Sequence, residues 1–278
     1  MSSSFRTPGR PLVFAHRGGR AIGPENTLVA FDLGVANGAD GMELDVHLSR
    51  DGRVVVCHDP TVDRTTDGRG PLADRTAAEL AALNATVRYG TDLEHAWTGA
   101  RAGIPTLDDV LARYPEARVI VEIKDGTDAC AAAVVDSVRS ARALDRVCVG
   151  SFSLRALLAV RAREPQLVTG AAPKEGQRAL VRSWIGLGPG RVAYRAFQVP
   201  EQAGRLKVIT PRFIRAVHKI DAAIYVWTIN EPADMRRLFD WGVDGIITDR
   251  PDVAVEVRDA GVATDNHEGA KARRREAR

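Results

Sequence analysis

Residues 11–59, PLVFAHRGGRAIGPENTLVAFDLGVANGADGMELDVHLSRDGRVVVCHD, read as strand, helix, strand within a span that suits a parallel crossover unit. The apolar run Leu12-Val13-Phe14-Ala15 stops abruptly at His16-Arg17-Gly18-Gly19. Asn26 or Thr27 can cap a helix in which Leu28, Phe31 and Val35 recur at helical spacing, and Asn37-Gly38 ends it. A second strand runs from Gly41 to Val46. After the turn at Asp51-Gly52, the run Val54 to Cys57 ends in His58-Asp59.

The alternation recurs along the chain. Thr106 caps a helix from Leu107 to Tyr114, and Arg118 to Lys124 is the third barrel strand. Helix from Asp128 to Leu144, strand from Val147 to Gly150, helix from Leu154 to Arg163 and strand from Leu167 to Ala171 follow. Gln177 to Ile185 reads as helical and Val192 to Val199 as extended. Helix from Pro211 to Lys219, strand from Ala223 to Trp227, helix from Ala233 to Trp241, strand from Gly245 to Ile247 and helix from Pro251 to Asp259 complete the pattern. Eight strands alternating with helices in 278 residues predict an α/β fold, a closed (β/α)8 TIM barrel. At about 59–103 turns, a short helix from Ala77 to Leu83 and a loop with Trp97 interrupt the pattern, which predicts an insertion after the second strand, over the barrel mouth. The expected boundaries are an N-terminal extension at 1–10, the barrel at 11–261 and a disordered basic tail at 262–278.

Composition narrows the function. The net charge is only +3, and Thr264 to Arg278 holds much of it, with five Lys or Arg against three Asp or Glu. The nearly neutral body argues against a nucleic-acid partner. No stretch approaches the about 18 apolar residues of a membrane span, and the N-terminus lacks an apolar h-region, so a cytoplasmic protein is expected. Cys57, Cys130 and Cys148 lie in apolar or helical runs without metal-ligand spacing and are expected to be reduced core residues. Cys57 alternates away from His58 along its strand, which disfavours it as a nucleophile.

Glu43 and Asp45 carry the sharpest chemical signal. Two residues apart on a strand, they share one face, while Met42, Leu44 and Val46 share the other. Like charges side by side in an apolar frame need a cation or a proton, and the spacing suggests a hard divalent metal. Glu122 and Lys124 likewise share a face. In a TIM barrel the C-terminal strand ends form the site, so His16, Glu43, Asp45, His58, Glu122, Lys124, Trp227 and Asp249 are expected to meet there.

HRG followed by PENT, ELD, HD and Asp63-Arg64-Thr65-Thr66-Asp67-Gly68-Arg69-Gly70 resembles the glycerophosphodiester phosphodiesterase family. The resemblance continues through Ile104-Pro105-Thr106-Leu107, Val121-Glu122-Ile123-Lys124, Val226-Trp227-Thr228-Ile229-Asn230 and Thr248-Asp249-Arg250-Pro251, covering most of residues 11–255. It implies metal-dependent hydrolysis of glycerophosphodiesters to glycerol 3-phosphate and an alcohol. It implies Glu43, Asp45 and Glu122 as ligands of one divalent cation, Mg2+ or Ca2+, and oxygen-only ligation independently argues against zinc. It also implies His16 and His58 as the acid and base. Glu25 is either a further ligand or a residue that orients His16 or Arg17. Arg17 offers a planar fork and Lys124 a point charge to phosphate. Trp227 packs either on the glycerol or alcohol moiety or in the core. Asp249 is expected to be structural, holding the loop that closes the barrel, and His218 to be a capping or surface residue. Two alternatives stand beside this reading. One is lysophospholipase D action on lysolipids, with an apolar groove from Leu80, Leu83, Leu93 and Trp97. The other is a non-catalytic barrel that binds phosphorylated ligands.

Overall fold

The computed structural model describes residues 5–7, 9–89 and 99–261. In chain order its strands are β1 (Leu12–His16), β2 (Gly41–Leu48), β3 (Val54–Val56), β4 (Arg118–Ile123), β5 (Val147–Gly150), β6 (Val168–Thr169), β7 (Ala196–Pro200), the short pair β8 (Gln202–Ala203) and β9 (Leu206–Lys207), β10 (Ala223–Trp227) and β11 (Gly245–Thr248). Eight of them form a parallel ring in the order β6-β5-β4-β2-β1-β11-β10-β7. A bridge between Gly170 and Ala196 draws the two end strands together, so the barrel is nearly closed. β3 pairs antiparallel to β2, with Val46 opposite Val56, and stands outside the ring.

The helices are α1 (Leu28–Ala36), α2 (Ala77–Ala81), α3 (Leu107–Arg113), α4 (Asp128–Ser140), α5 (Leu154–Arg163), α6 (Pro173–Trp184), α7 (Pro211–His218), α8 (Pro232–Asp240) and α9 at 251–261. Hydroxyl caps start most of them. Thr27, Thr106, Thr127, Ser153 and Thr210 each accept a backbone N–H three residues on, satisfying a donor that has no partner inside the helix. None of the helices among the described residues is long and apolar enough to cross a membrane.

Between residues 167 and 207 the elements differ most from expectation. α6 begins at Pro173 rather than Gln177, because a proline suits the first turn and Glu175 accepts the Ala172 N–H at 2.9 Å. Gly186 and Gly190 adopt φ +80° and +88°, which makes the connection irregular and delays the next strand to Ala196. The β8–β9 hairpin is exposed along both strands and so leaves no apolar pattern to read.

Side-chain alternation divides the core into shells. Leu12, Phe14, Ile120, Cys148, Tyr225 and Ile247 fill the barrel interior, with Phe5 among them. Met42, Leu44 and Val46 point outward against α1, α3 and α4, through residues such as Phe31, Leu107, Val110 and Val134. Val13, Ile224, Val226 and Ile246 pack on Phe213, Val217 and Leu238 of α7 and α8. A small separate cluster in the inserted segment gathers Val55, Cys57, Val62, Leu72, Leu80, Ala85 and Ile104. Leu80 is fully buried there and Leu83 packs against it, so their apolar surface is already used within the insertion. Leu93, Trp97 and the tail at 262–278 lie outside the described residues.

Phe5, at the edge of the chain, is fully buried, and its carbonyl accepts the Tyr225 hydroxyl. Phe5→Ala is therefore expected to lower stability by about 3–5 kcal/mol, measured by chemical denaturation. A loss near zero would show that the barrel interior does not depend on this residue.

Candidate active site

Parallel register builds the site. β2 pairs with β4 so that Asp45 lies opposite Glu122, and β1 pairs with β2 so that His16 lies opposite Glu43. Directly after β1 the chain turns through Arg17, at φ +52°. That turn aims the Arg17 N–H at Glu43 Oε2, 3.3 Å away. Gly18 allows the turn to pass α1, since a Cβ there would lie 2.7 Å from that of Ala30. A cavity of about 330 Å3 results, lined by His16, Arg17, Glu43, Asp45, His58, Glu122, Lys124 and Trp227 among others. All the predicted residues except Glu25 and Asp249 reach its wall.

Glu25 lies behind Arg17 and is not a cavity residue. It accepts from Arg17 at 3.0 Å and from Arg64 at 2.8 and 2.9 Å, and has no bond to His16. Burial works against its charge, but the two guanidinium groups outweigh it and hold its carboxyl well below the usual range, at about 2.

Asp249 corrects the sequence reading. β11 runs beside β1 with Thr248 opposite Ala15, which brings the next two residues, Asp249 and His16, together at 2.6 Å. Asn230 donates to the other Asp249 oxygen at 2.9 Å. Asp249 thus holds the His16 ring rather than only a loop. Its counterpart is Asp59, 2.6 Å from His58 Nδ1 and itself tied by Arg64. His218 also proves more than a surface residue, since its Nε2 meets Asp244 at 2.8 Å.

The two imidazoles differ. Burial disfavours a charge on His16, yet the Asp249 hydrogen bond and the Glu43 and Asp249 charges prevail, and its pKa is raised. Burial prevails at His58 over its Asp59 bond, and its pKa is lowered. Cys57 is pushed up to about 12, chiefly by burial, which agrees with an inert core thiol.

The carboxylates carry unequal compensation. Asp45 is paired with Lys124 at 2.8 Å, accepts from Asn26 at 3.0 Å and has the Arg17 charge 3.1 Å away, without hydrogen-bond geometry, and its pKa is lowered despite burial. Lys124 therefore pairs with Asp45, not with its strand neighbour Glu122. Glu43 is raised by burial and by the Asp45 charge. Burial pushes Glu122 up to about 8, and its Oε1 is buried without a hydrogen-bond partner.

Among the described residues, no three histidine, cysteine or carboxylate side chains are drawn together closely enough to hold an ion as they stand. The donor chemistry nevertheless suits a hard cation: three carboxylates share a cavity and one buried oxygen is unpartnered. Gly150 keeps that space open, because a Cβ there would lie 2.4 Å from Glu122 Oε2.

Sequence reasoning did not find Arg64, Asp59, Asn26 or Gln198 as site residues. Asp59, Arg64 and Asn26 lie within the quoted motifs, which was the available signal. Gln198 lies in the stretch where the strand limits were poorest.

Carboxylates, imidazoles and cations at the C-terminal strand ends define the class, a barrel enzyme built for an anionic substrate. Residues 16–253 match the glycerophosphoryl diester phosphodiesterase family, and the chain belongs to it. A glycerophosphodiester phosphodiesterase of Caldanaerobacter subterraneus subsp. tengcongensis is 34% identical over 253 residues, covering 89% of this chain and 98% of the relative. A crystal structure of a glycerophosphodiester phosphodiesterase from Agrobacterium tumefaciens matches with a TM-score of 0.71 at 28% identity, covering 88% of this chain and 99% of that one. An Oleispira antarctica phosphodiesterase, solved with the product sn-glycerol-3-phosphate, matches with a TM-score of 0.72 at 26% identity, over 90% and 97% of the two chains.

The buried Glu122 carboxylate makes a stability prediction. A folded pKa of about 8, above the ordinary 4.5, means that the group's contribution is intact below pH 4.5 and lost as pH rises toward 8. In chelator, Glu122→Gln is expected to be more stable than the wild type at pH 8, by about 1–3 kcal/mol, and equal to it near pH 4.5. Thermal denaturation at both pH values measures this. A variant less stable at pH 8 would show that the Glu122 carboxylate has a favourable partner in solution.

Proposed function

We propose that this protein hydrolyses glycerophosphodiesters to glycerol 3-phosphate and an alcohol, using one divalent cation, Mg2+ or Ca2+, and His16 and His58 as acid and base. The observation that carries the reading is the pair of carboxylate-held imidazoles on one cavity with three carboxylates and three cations, Arg17, Arg20 and Lys124. The family and the product complex of the Oleispira antarctica relative support it. Three buried, unpaired thiols favour a reducing, cytoplasmic setting.

A phosphodiester resists attack because its oxygens repel nucleophiles and its alkoxide leaves poorly. Glu43, Asp45 and Glu122 would hold the cation, which when bound draws charge from the phosphoryl oxygens. Arg17 and Lys124 flank the same space and add positive charge beside Asp45. Asp249 and Asp59 fix the two rings through Nδ1, so each keeps Nε2 for proton transfer. His58, with its lowered pKa, is the base that takes a proton from the nucleophile. His16, with its raised pKa, is the acid that protonates the departing alkoxide. The nucleophile is water or the glycerol hydroxyl of the substrate.

Glycerol 3-phosphate release is to be measured on diesters of choline, ethanolamine, glycerol and inositol, with Mg2+, with Ca2+ and with chelator. Release that requires a cation, and falls roughly 10²- to 10⁴-fold in His16→Ala and in His58→Ala while the fold is retained, is the expected result. Turnover that survives both substitutions would remove the histidines from the mechanism. No turnover of any of these four diesters would point to lysolipids or to a binding role instead.

A further inference from the structure

A second cavity, of about 260 Å3, opens beside the first, and Glu122, Phe152, Gln198 and Trp227 line both. Its character is different. Ala172, Leu180, Val199, Pro200, Val208 and Phe213 are among the apolar residues that make up most of its remaining wall, and Glu122 is its only charged residue among those described. Two of the polar groups that reach it are engaged elsewhere. The Ser151 hydroxyl donates to the Ile123 carbonyl at 2.7 Å, and the Gln198 amide points to Cys148 Sγ at 3.3 Å. Two of its residues leave apolar surface uncovered: Phe152 is 67% exposed, edge-on to Trp227, and Leu206 on the β8–β9 hairpin is 41% exposed.

A glycerol or inositol group placed here would lose hydration and find few partners besides Glu122 and Gln177. A hydrocarbon group would gain by leaving water. We infer that this cavity receives a hydrocarbon group carried by the phosphodiester substrate, so that the protein prefers amphiphilic diesters to those with small polar head groups. The inference rests on the phosphodiesterase reading of the adjoining site. The hydrocarbon has two possible sources, an alkyl leaving alcohol or an acyl chain on the glycerol. The cavity chemistry is the same for both.

Binding is tested first, because it does not depend on turnover. n-Alkyl phosphates from methyl to octyl, below their micellar concentrations, are titrated into the full chain by calorimetry. Affinity is expected to rise about three- to four-fold per methylene until the cavity is filled. Gly176 on α6 lines the cavity, and a Cβ there meets nothing within 4 Å, so Gly176→Leu has open space at its first atom and is chosen to take up cavity volume. Leucine also favours the helix over glycine, so the variant is expected to fold. In it the rise is expected to stop at a shorter chain. An affinity independent of chain length in the wild type would overturn the inference, as would a rise that Gly176→Leu leaves unchanged.

Hydrolysis then separates the sources. One series lengthens the alkyl alcohol of glycerophospho-alkyl esters, and the other lengthens the acyl chain of monoacyl glycerophosphocholines. A kcat/KM that climbs in one series assigns the cavity to that part of the substrate, and no climb in either, with both turned over, counts against it. Chain-length-dependent binding without turnover in any series would leave the cavity as a hydrocarbon site and end the phosphodiesterase reading instead.

Discussion

Three carboxylates on two adjacent parallel strands lie side by side inside the upper half of the barrel, and the rest of the site is arranged around their charge. Like charges withdrawn from water cost several kcal/mol each unless something offsets them. Asp45 receives two cations, Arg17 and Lys124. Arg17 is in turn held by Glu25, Glu25 by Arg64, Arg64 by Asp59, and Asp59 by His58. A single ionic chain therefore runs from the barrel carboxylate to one imidazole. The other imidazole, His16, stands 3.9 Å from Glu43 and is steadied by Asp249 from the neighbouring strand.

This charged layer sits at the C-terminal ends of the strands. Below it the interior is apolar, with Phe14 and Tyr225 packed edge to face at 5.1 Å. The apolar layers fix the strands whose ends carry the charged groups. Their rigidity keeps the carboxylates from relaxing apart, at the expense of some stability.

The sequence carries the strand-helix alternation openly, because the outward strand faces need apolar residues to meet the helices. Glu43 and Asp45 could be placed on one face from alternation alone, and Thr106 as a cap from its position before Leu107. Asp249 could not be paired with His16 by any local rule. Their contact exists because the last strand of the ring lies beside the first, 233 residues away in the chain. Arg64 was hidden for another reason: it sits in a turn-rich loop, and only the folded insertion carries it to Glu25. The limits of β6 and β7 were obscured by short strands and irregular glycine turns, and the apolar cavity beside them was hidden as well.

The two imidazoles hang from different parts of the fold. His16 ends β1 within the ring, whereas His58 follows β3, whose Val54 and Val56 face the outer core while Val55 and the adjoining Cys57 join the small cluster around Val62, Leu72 and Leu80. A partial opening that releases this smaller cluster leaves the barrel folded and withdraws His58 from the cavity. A local opening costs less free energy than global unfolding, and a form opened there would keep its barrel and lose its activity. On warming, activity then falls before helical structure does. Substitutions in the insertion move the temperature of the first event while barely moving that of the second.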